Sequence, residues 1–230
     1  ASQLNIKIGQ RGRGEIVLET FGKPCHSANP EKGINAVYKM AKVIEAIRTL
    51  EPTHHPVLGD GILELTDIKS APYPGASVVP EYCRATYDRR LLVGETKESV
   101  LAPIQELLDK LMAEDPQLKA KVSYAVGKEQ CYTGNEITGE RFFPGWLYDE
   151  KDEFVQDVKK ELEGMGYTPE ITQYNFCTNG SHYAGEAGIK TFGLGPSKEN
   201  LAHTVNEYIE IDQLTKVTDC YYGVMKALLK

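Results

Sequence analysis

The chain has 230 residues, of which 41% are hydrophobic and 26% are charged, so it is able to bury a folded core. Its formal net charge is -7 with acidic and basic residues mixed throughout. This mixture argues against a nucleic-acid partner, and the lack of an apolar run of roughly 18 residues argues against a membrane span.

The first half of the chain predicts one compact fold. Its predicted strand, helix, two strands, helix and strand lie at residues 15–21, 34–50, 62–70, 77–92, 96–114 and 119–126. Thr96 is the predicted N-cap of the second helix. Over residues 13–126 the order β-α-β-β-α-β predicts a ferredoxin-like domain, with both helices on one face of an antiparallel sheet.

The second half predicts part of a layered α/β domain. Residues 127–150 hold several glycines and the only tryptophan, and they predict an irregular crossover. The predicted helix, three strands and closing helix that follow lie at residues 152–167, 170–176, 190–196, 207–211 and 212–229. Asp212 is the predicted N-cap of the closing helix. These strands are too few for a complete domain, so residues 1–12 and 127–230 are predicted to form an incomplete one.

The cysteines predict a reducing compartment. Their number is odd, and no Cys-x-x-Cys spacing occurs among Cys25, Cys83, Cys131, Cys177 and Cys220. This pattern argues against a disulfide framework and a cysteine-rich zinc module. We therefore predict a cytoplasmic protein in which most cysteines are buried as small apolar groups.

His203 is the strongest candidate for a metal ligand. It follows a Gly-Pro turn and precedes a predicted strand, and imidazole is the commonest zinc ligand. The alternative is a histidine bonded to loop backbone. One histidine cannot bind a catalytic ion by itself. His182 and Glu186 could complete a single-metal site if they lay on a helix, although the glycines around them disfavour one.

Other polar residues have simpler alternatives. His54 and His55 lie in a polar loop and predict solvated side chains. Cys25 beside His26 suggests a nucleophile pair, but adjacent residues seldom reach catalytic geometry, so a binding role of His26 is favoured. Arg90 ends a charged strand, where it forms either a surface ion pair or a clamp on a substrate carboxylate.

Four stretches carry a resemblance to a known family, and they begin at residues 9, 77, 187 and 201. They read GQRGRGEIVLETFGKPCHSANPEKGINAV, SVVPEYCRATYDRR, AGIKTFGLGP and LAHTVNEYIEI. In this order they resemble the co-catalytic zinc peptidases and deacylases, which include glutamate carboxypeptidase, acetylornithine deacetylase, succinyl-diaminopimelate desuccinylase and the aminoacylases. Two details, LNIKIGQRGRGE and DRRLLVGET, resemble the branch of hydrolases linked to selenium metabolism.

The resemblance implies both architecture and activity. Residues 13–126 would be a lid that forms a homodimer, and residues 1–12 and 127–230 would belong to the catalytic domain. The implied reaction is hydrolysis of an amide bond in a small peptide or N-acyl amino acid. The implied cofactor is a pair of zinc ions, with cobalt or manganese as alternatives.

The resemblance also assigns roles to single residues. His203 matches the last metal ligand of the family. His26 matches the lid histidine, which reaches the partner subunit's site and helps polarise the scissile carbonyl. Arg90 matches an arginine that is a candidate for binding the substrate carboxylate. Gly195 matches the turn that shapes the pocket floor. Glu207 would orient the loop of His203.

The sequence departs from the family pattern at several points. Ser77 stands where the family has an amide that contacts substrate, and Asn179 or Gly180 stands near an acidic position. The family's His-x-Asp motif, bridging Asp and Glu-Glu pair are absent. We therefore expect a fragment that neither holds zinc tightly nor turns over substrate alone. The rival interpretation is a non-enzymatic dimerisation module in which His203 is structural.

Overall fold

The computed structural model describes residues 1–229, and the chain divides into two compact units. The central unit runs from Arg13 to Pro144. The terminal unit joins Ala1–Gly12 to the chain from Gly145 onward. The central unit thus extends beyond the predicted boundary at residue 126 and includes part of the predicted crossover.

The strands and helices follow one another along both units. In chain order they are β1 (Ile6–Gln10), β2 (Gly12–Phe21), α1 (Ala36–Ile47), β3 (His54–His55), β4 (Gly59–Asp60), β5 (Ile62–Ala71), β6 (Tyr82–Leu91), α2 (Lys97–Glu114), β7 (Lys119–Tyr124), β8 (Val126–Gln130), β9 (Glu136–Glu140), β10 (Phe142–Phe143), β11 (Trp146–Leu147), α3 (Glu153–Gly164), β12 (Ile171–Tyr174) and α4 (Ile211–Leu228). Among the described residues, no helix combines the length and apolar character needed to cross a membrane.

The central unit has the predicted ferredoxin-like arrangement. Its main strands lie in the order β7-β2-β6-β5, with short β10 extending the β7 side of β2. β2 pairs antiparallel with β7, and β5 pairs antiparallel with β6. Both long helices pack on one face of this sheet, and the core residues include Ile16, Leu18, Met40, Val43, Ala85, Ile104 and Leu108. The mixed α/β prediction for this region is confirmed.

Both helices of the central unit begin at capping side chains. The Asn35 side chain accepts hydrogen bonds from the backbone N–H groups of Val37 and Tyr38 at the start of α1. Thr96 caps α2 as predicted, and it forms a reciprocal capping box with Ser99. Each cap satisfies backbone donors that the first turn of a helix leaves without partners.

Asp115 links the two helices of the central unit through lysines of α1. Its carboxylate lies 2.9 Å from Lys39 Nζ and 3.5 Å from Lys42 Nζ. The hydrogen bond from Lys39 is the main reason why the pKa of Asp115 lies below its ordinary value. A depressed folded-state pKa adds stability above the unfolded-state pKa, and this stability disappears as the pH falls through the folded-state pKa.

Asp115→Asn is therefore expected to lower the free energy of unfolding by less than about 1 kcal/mol at neutral pH, because the pair is partly solvated. The difference from wild type should vanish in acid, where the wild-type carboxyl group is protonated. Urea denaturation across a pH series measures this difference in the free energy of unfolding. Glu114→Gln, at a neighbouring exposed carboxylate, is the control. A difference that persists unchanged in acid would contradict the ion-pair explanation.

The terminal unit is a small α/β layer. Its strands lie in the order β11-β1-β12, and β1 is antiparallel to β11 and parallel to β12. Helices α3 and α4 pack on this sheet, and the core residues include Ile6, Ile8, Val155, Val158, Leu162 and Cys220. This architecture is the one predicted for part of a layered α/β domain.

The predicted irregular crossover contains a hairpin, so that part of the prediction is wrong. β8 and β9 pair antiparallel, with Gly127 opposite Gly139. The tip is closed by a hydrogen bond from the Cys131 N–H to the Asn135 carbonyl at 2.8 Å, with Gly134 at φ 88°. The glycines that predicted a loop occupy facing strand positions and the tip, where φ above zero favours glycine.

Three predictions near the carboxyl end are also wrong. Residues 207–211 form no strand, because their apolar-polar alternation meets no neighbouring strand, and α4 begins at Ile211 after the N-cap Glu210. Asp212 lies in the first turn and forms an ion pair with Lys216 at 2.7 Å. The predicted strand 190–196 is reduced to one bridge between Lys7 and Gly193.

The cysteines are less buried than predicted. All five are free thiols, and two of them, Cys83 and Cys220, are buried. The other three are partly exposed, because they lie in loops or at the hairpin tip. The prediction that most cysteines are buried is therefore wrong.

Candidate functional site

The loop that carries His26 is fixed to the loop that carries Ser77. The Val79 N–H donates to the Cys25 carbonyl at 2.9 Å, and the Ser27 N–H donates to the Ser77 carbonyl at 3.0 Å. His26 thereby pairs with Val78 as in an isolated antiparallel bridge. The loops of His26 and Ser77, two residues that the sequence predicted for the site, thus lie side by side.

The side chains of His26 and Ser77 are both exposed. His26 Nδ1 accepts a hydrogen bond from the backbone N–H of Ala28 at 3.1 Å. Ser77 has φ 55°, in the left-handed region that residues other than glycine seldom adopt. The Ser77 hydroxyl makes no hydrogen bond within residues 1–229, so it is available to a ligand.

Arg90 lies on β6, on the face of the sheet opposite the helices. Alternate residues of β6 such as Ala85 and Tyr87 enter the core, so Asp88 and Arg90 point to the other face. Arg90 Nε lies 2.9 Å from Asp88 Oδ1, and Arg13 Nε lies 2.7 Å from Asp88 Oδ2. Asp88 and Arg13 also line a groove of about 310 Å³ on this face. Asp88 therefore orients both guanidinium groups and offsets part of their charge.

Gln10 binds the turn after β12 through its whole side-chain amide. Its Nε2 donates to the Thr178 carbonyl at 3.2 Å and to Ser181 Oγ at 3.0 Å. Its Oε1 accepts from the Thr178 N–H at 3.1 Å and from Thr178 Oγ1 at 2.6 Å. Gln10 is fully buried, so these bonds replace all of its contacts with water. The amide fixes the turn that presents Asn179, which is exposed.

Gly180 is required where this turn meets Trp146. A Cβ atom at position 180 would lie 2.6 Å from Trp146 Nε1 and 2.9 Å from the nearest ring carbons. A real Cβ does not occur at such distances, so the backbone of the turn packs directly against the indole ring. Asn179 or Gly180 was predicted to lie near an acidic position of the family, but no sequence signal indicated this contact with Trp146.

Gly195 is held by the beginning of the chain. Its N–H donates to Ser2 Oγ at 3.0 Å, and its carbonyl accepts from Ser2 Oγ and from the Leu4 N–H, each at 3.0 Å. Gly195 is buried, and both of its backbone polar groups have partners in this arrangement. It therefore contributes to the shape of this turn through its backbone.

His203 lies in an exposed loop before α4. Its φ is 62°, and its backbone N–H donates to Glu207 Oε2 at 3.0 Å. Glu207 thus holds the loop, which is the role that the resemblance implies for it. The imidazole itself faces solvent and is accessible to a metal ion.

The residues of the predicted single-metal site do not come together. Ser181–Glu186 form a π-helical turn, which places His182 Nδ1 at 2.8 Å from Glu186 Oε2. Within residues 1–229, however, no group of three His, Cys, Asp or Glu side chains is arranged to hold a metal ion. His203 does not join the pair, so this chain offers an accessible imidazole but not a complete donor set.

A polar cleft of about 600 Å³ in the terminal unit was not predicted. Lys7 lines it and forms an ion pair with Glu199 at 2.6 Å. The Lys7 ammonium also lies 5.2 Å from the centre of the Tyr174 ring. Burial, followed by the charge of Glu199, raises the pKa of Tyr174 to about 12, so this residue remains a neutral phenol. A lone lysine within an alternating strand gave no sequence signal for this cleft.

Known proteins resemble this chain along its length. Residues 8–116 match the family model described as a peptidase dimerisation domain. The YgeY protein of Escherichia coli (strain K12) is 34% identical over 202 residues, which cover 86% of this chain and 49% of YgeY. The chain thus spans about half the length of this relative.

Solved structures share the fold. Aminopeptidase PepT from Bacillus cereus matches with a TM-score of 0.73 at 20% identity, over 100% of this chain and 55% of that chain. The YXEP protein of Bacillus subtilis, a dinuclear metal-binding peptidase from the M20 family, matches with a TM-score of 0.66 at 12% identity, over 99% of this chain and 54% of that chain. The four sequence stretches, the ferredoxin-like domain and these similarities agree, and the chain belongs to the M20 peptidase family.

Proposed function

We propose that this chain is part of a metal-dependent hydrolase that cleaves an amide bond in a small peptide or N-acyl amino acid. The observation that carries the proposal is the exposed His203 imidazole, which lies on a loop that Glu207 holds through the His203 backbone N–H, in a chain of the M20 peptidase family. The peptidase and deacylase resemblance of the sequence supports the substrate class. Amide hydrolysis needs a polarised carbonyl and an activated water, which members of such families obtain from bound metal.

The two units are proposed to have separate tasks. The ferredoxin-like residues 13–126 would form the lid and the homodimer contact, in keeping with the match to a peptidase dimerisation domain. The terminal unit, with residues 1–12 and 127–230 as the predicted bounds, would form part of the catalytic domain. The β8–β9 hairpin lies within the compact central unit, so it would form part of the lid domain.

The exposed side chains of the central unit are proposed to contact substrate. His26 would donate a hydrogen bond to the scissile carbonyl in the partner subunit's site. Arg90 would bind the substrate carboxylate through the guanidinium nitrogens that Asp88 leaves exposed. The Ser77 hydroxyl would offer a further hydrogen bond beside His26.

The terminal unit is proposed to carry substrate-binding and metal-binding residues of its own. Asn179 lies on the turn that Gln10 fixes, and its amide would contact substrate. Gly195 would shape the pocket floor through its turn, which Ser2 and Leu4 hold in place. His203 would be one ligand of a two-zinc site. Residues 1–229 do not fit a complete zinc site by themselves. The other ligands would come from polypeptide outside this chain, so the chain alone is proposed to be inactive.

Metal binding by the protein at the length of its relatives tests the proposal. His203→Ala should weaken zinc affinity by at least about 10-fold, since even residues that only orient metal ligands contribute this much. Titration against a chelator measures the affinity, and hydrolysis of a panel of dipeptides and N-acyl amino acids measures activity. His55→Ala is the matched control, because His55 lies in the central unit on β3.

The outcomes separate the alternatives. Unchanged zinc affinity in His203→Ala would contradict the ligand assignment. Absence of stoichiometric metal from the wild-type protein would favour the non-enzymatic dimerisation module. Equal activity in this chain and in the longer protein would contradict the proposal that further ligands are needed.

A further inference from the structure

The backbone of the His26 loop donates a hydrogen bond to the imidazole ring. The Ala28 N–H points at His26 Nδ1 with an N-to-N distance of 3.1 Å. A ring nitrogen that accepts a hydrogen bond uses its lone pair and carries no proton. The neutral imidazole has one proton, so this contact leaves it on Nε2.

The loop geometry that makes this contact is fixed by further hydrogen bonds. The Ser27 N–H and the Cys25 carbonyl are both bonded to the Ser77–Val79 backbone. The Asn29 N–H donates to the carbonyl of His26 itself at 2.9 Å. Ala28 therefore lies between Ser27 and Asn29, whose backbone N–H groups are both hydrogen-bonded. This arrangement holds the Ala28 N–H on the Nδ1 side of the His26 ring.

We propose that the Ala28 N–H is a positioning group, which holds His26 in the Nε2–H tautomer and so makes the exposed Nε2 a hydrogen-bond donor instead of a proton acceptor. A general base needs a free lone pair at the reacting nitrogen, and this tautomer has none at Nε2. A neutral N–H donor matches an oxygen on which negative charge develops. The use of this donor on a substrate carbonyl rests on the proposed function, whereas the tautomer itself does not.

Other histidines of the chain supply internal references. His55 Nδ1 accepts from the N–H groups of Val57 and Leu58 at 3.1 and 3.2 Å, so His55 should be in the same tautomer as His26. His54 Nδ1 lies 2.7 Å from a carboxylate oxygen of Asp60, which only accepts, so this nitrogen should carry a proton. The ring of His203 makes no hydrogen bond within residues 1–229 and serves as the unbiased case.

Nitrogen-15 spectra of the imidazole rings of the ¹⁵N-labelled chain test the inference directly. They distinguish protonated from unprotonated ring nitrogens, and His→Gln variants assign the signals. Across a pH series, the neutral form of His26 should show an Nε2–H to Nδ1–H ratio roughly fivefold higher than that of His203, as one net hydrogen bond would give. A ratio equal to that of His203, or a majority of the Nδ1–H form, would overturn the proposal.

Two substitutions at one position provide the matched comparison. Ala28→Pro removes the N–H donor, and it should return the His26 ratio to that of His203. Ala28→Gly keeps the donor and should leave the ratio raised. An unchanged ratio in a folded Ala28→Pro variant would overturn the proposal, and the wild-type spectrum still decides if that variant does not fold.

Hydrolysis by the longer protein separates this inference from the proposed function. A Gln side chain places an N–H donor near the position of Nε2, so His26→Gln should retain more activity than His26→Ala. If the ring spectra show the Nε2–H form while His26→Ala remains fully active, the tautomer inference stands and the proposed role of His26 fails.

Discussion

Glu95→Ala is expected to lower the free energy of unfolding of the central unit by about 3–5 kcal/mol, because it leaves a buried arginine without its counter-charge. The side chains of Arg89 and Glu95 are only 10% and 14% exposed, and Arg89 Nη2 lies 2.5 Å from Glu95 Oε1. Glu95 also accepts from the Leu92 N–H at 2.7 Å and from Thr53 Oγ1 at 2.8 Å. Its removal therefore disconnects three neighbouring groups at once.

The chain contains a matched control for this experiment. Glu45 and Arg48 form the same kind of pair at 3.2 Å at the carboxyl end of α1, but their side chains are 72% and 71% exposed. Glu45→Ala should change stability by less than about 1 kcal/mol, because water and salt screen exposed pairs. Urea denaturation, with hydrogen exchange of β6 amides to report on the central unit, measures both variants. Equal effects of the two substitutions would show that burial of Arg89 is not the cause.

Gln10→Leu is expected to destabilise the terminal unit by about 3 kcal/mol. The new side chain has a similar volume, but it removes a hydrogen-bond partner of the Thr178 N–H and of the Ser181 hydroxyl. An unsatisfied buried donor or acceptor costs roughly 1–3 kcal/mol. The backbone N–H of Thr178, which donates to Gln10 Oε1, should also exchange with solvent much faster.

The control is the same substitution at an exposed glutamine. Gln130 ends β8 on the hairpin, so Gln130→Leu should leave stability almost unchanged. Hydrogen exchange followed by mass spectrometry on the segment 171–186 measures the local effect in both variants. Slow exchange of the Thr178 amide in Gln10→Leu would mean that the turn is held by other contacts.

The ferredoxin-like order was predictable because its elements are long and regularly patterned. Helix α2, which Thr96 caps, has a capping residue, an apolar stripe and sufficient length, and all three are visible in the sequence. The β8–β9 hairpin lacks such a signal. Its strands are exposed on both faces, and Gly127 and Gly139 resemble turn residues although they face each other in a ladder.

The segment 207–211 shows the opposite error. It alternates apolar and polar residues as a strand does, yet Tyr208 is exposed and no strand lies beside it. Periodicity describes which side chains share a face, and it does not reveal whether a neighbouring strand is present. Only the tertiary structure shows that α4 begins at Ile211.

The site was predictable only as far as sequence motifs reach. His26, Ser77 and His203 were selected by resemblance, and the structure places all three in exposed loops. Gln10 was not selected, because a glutamine at the end of an alternating strand is usually solvated. Its buried contacts join residues that are 168 positions apart, which no local pattern reveals.

The hairpin has a practical consequence for studying this protein. Its tip carries the fully exposed Tyr132, and the tip residues contribute no side chain to the core clusters of the chain. Exposed tips of this kind tolerate inserted peptides. A fluorescent or affinity label placed between Thr133 and Gly134 would therefore allow detection and immobilisation while the sheets of both units keep their packing.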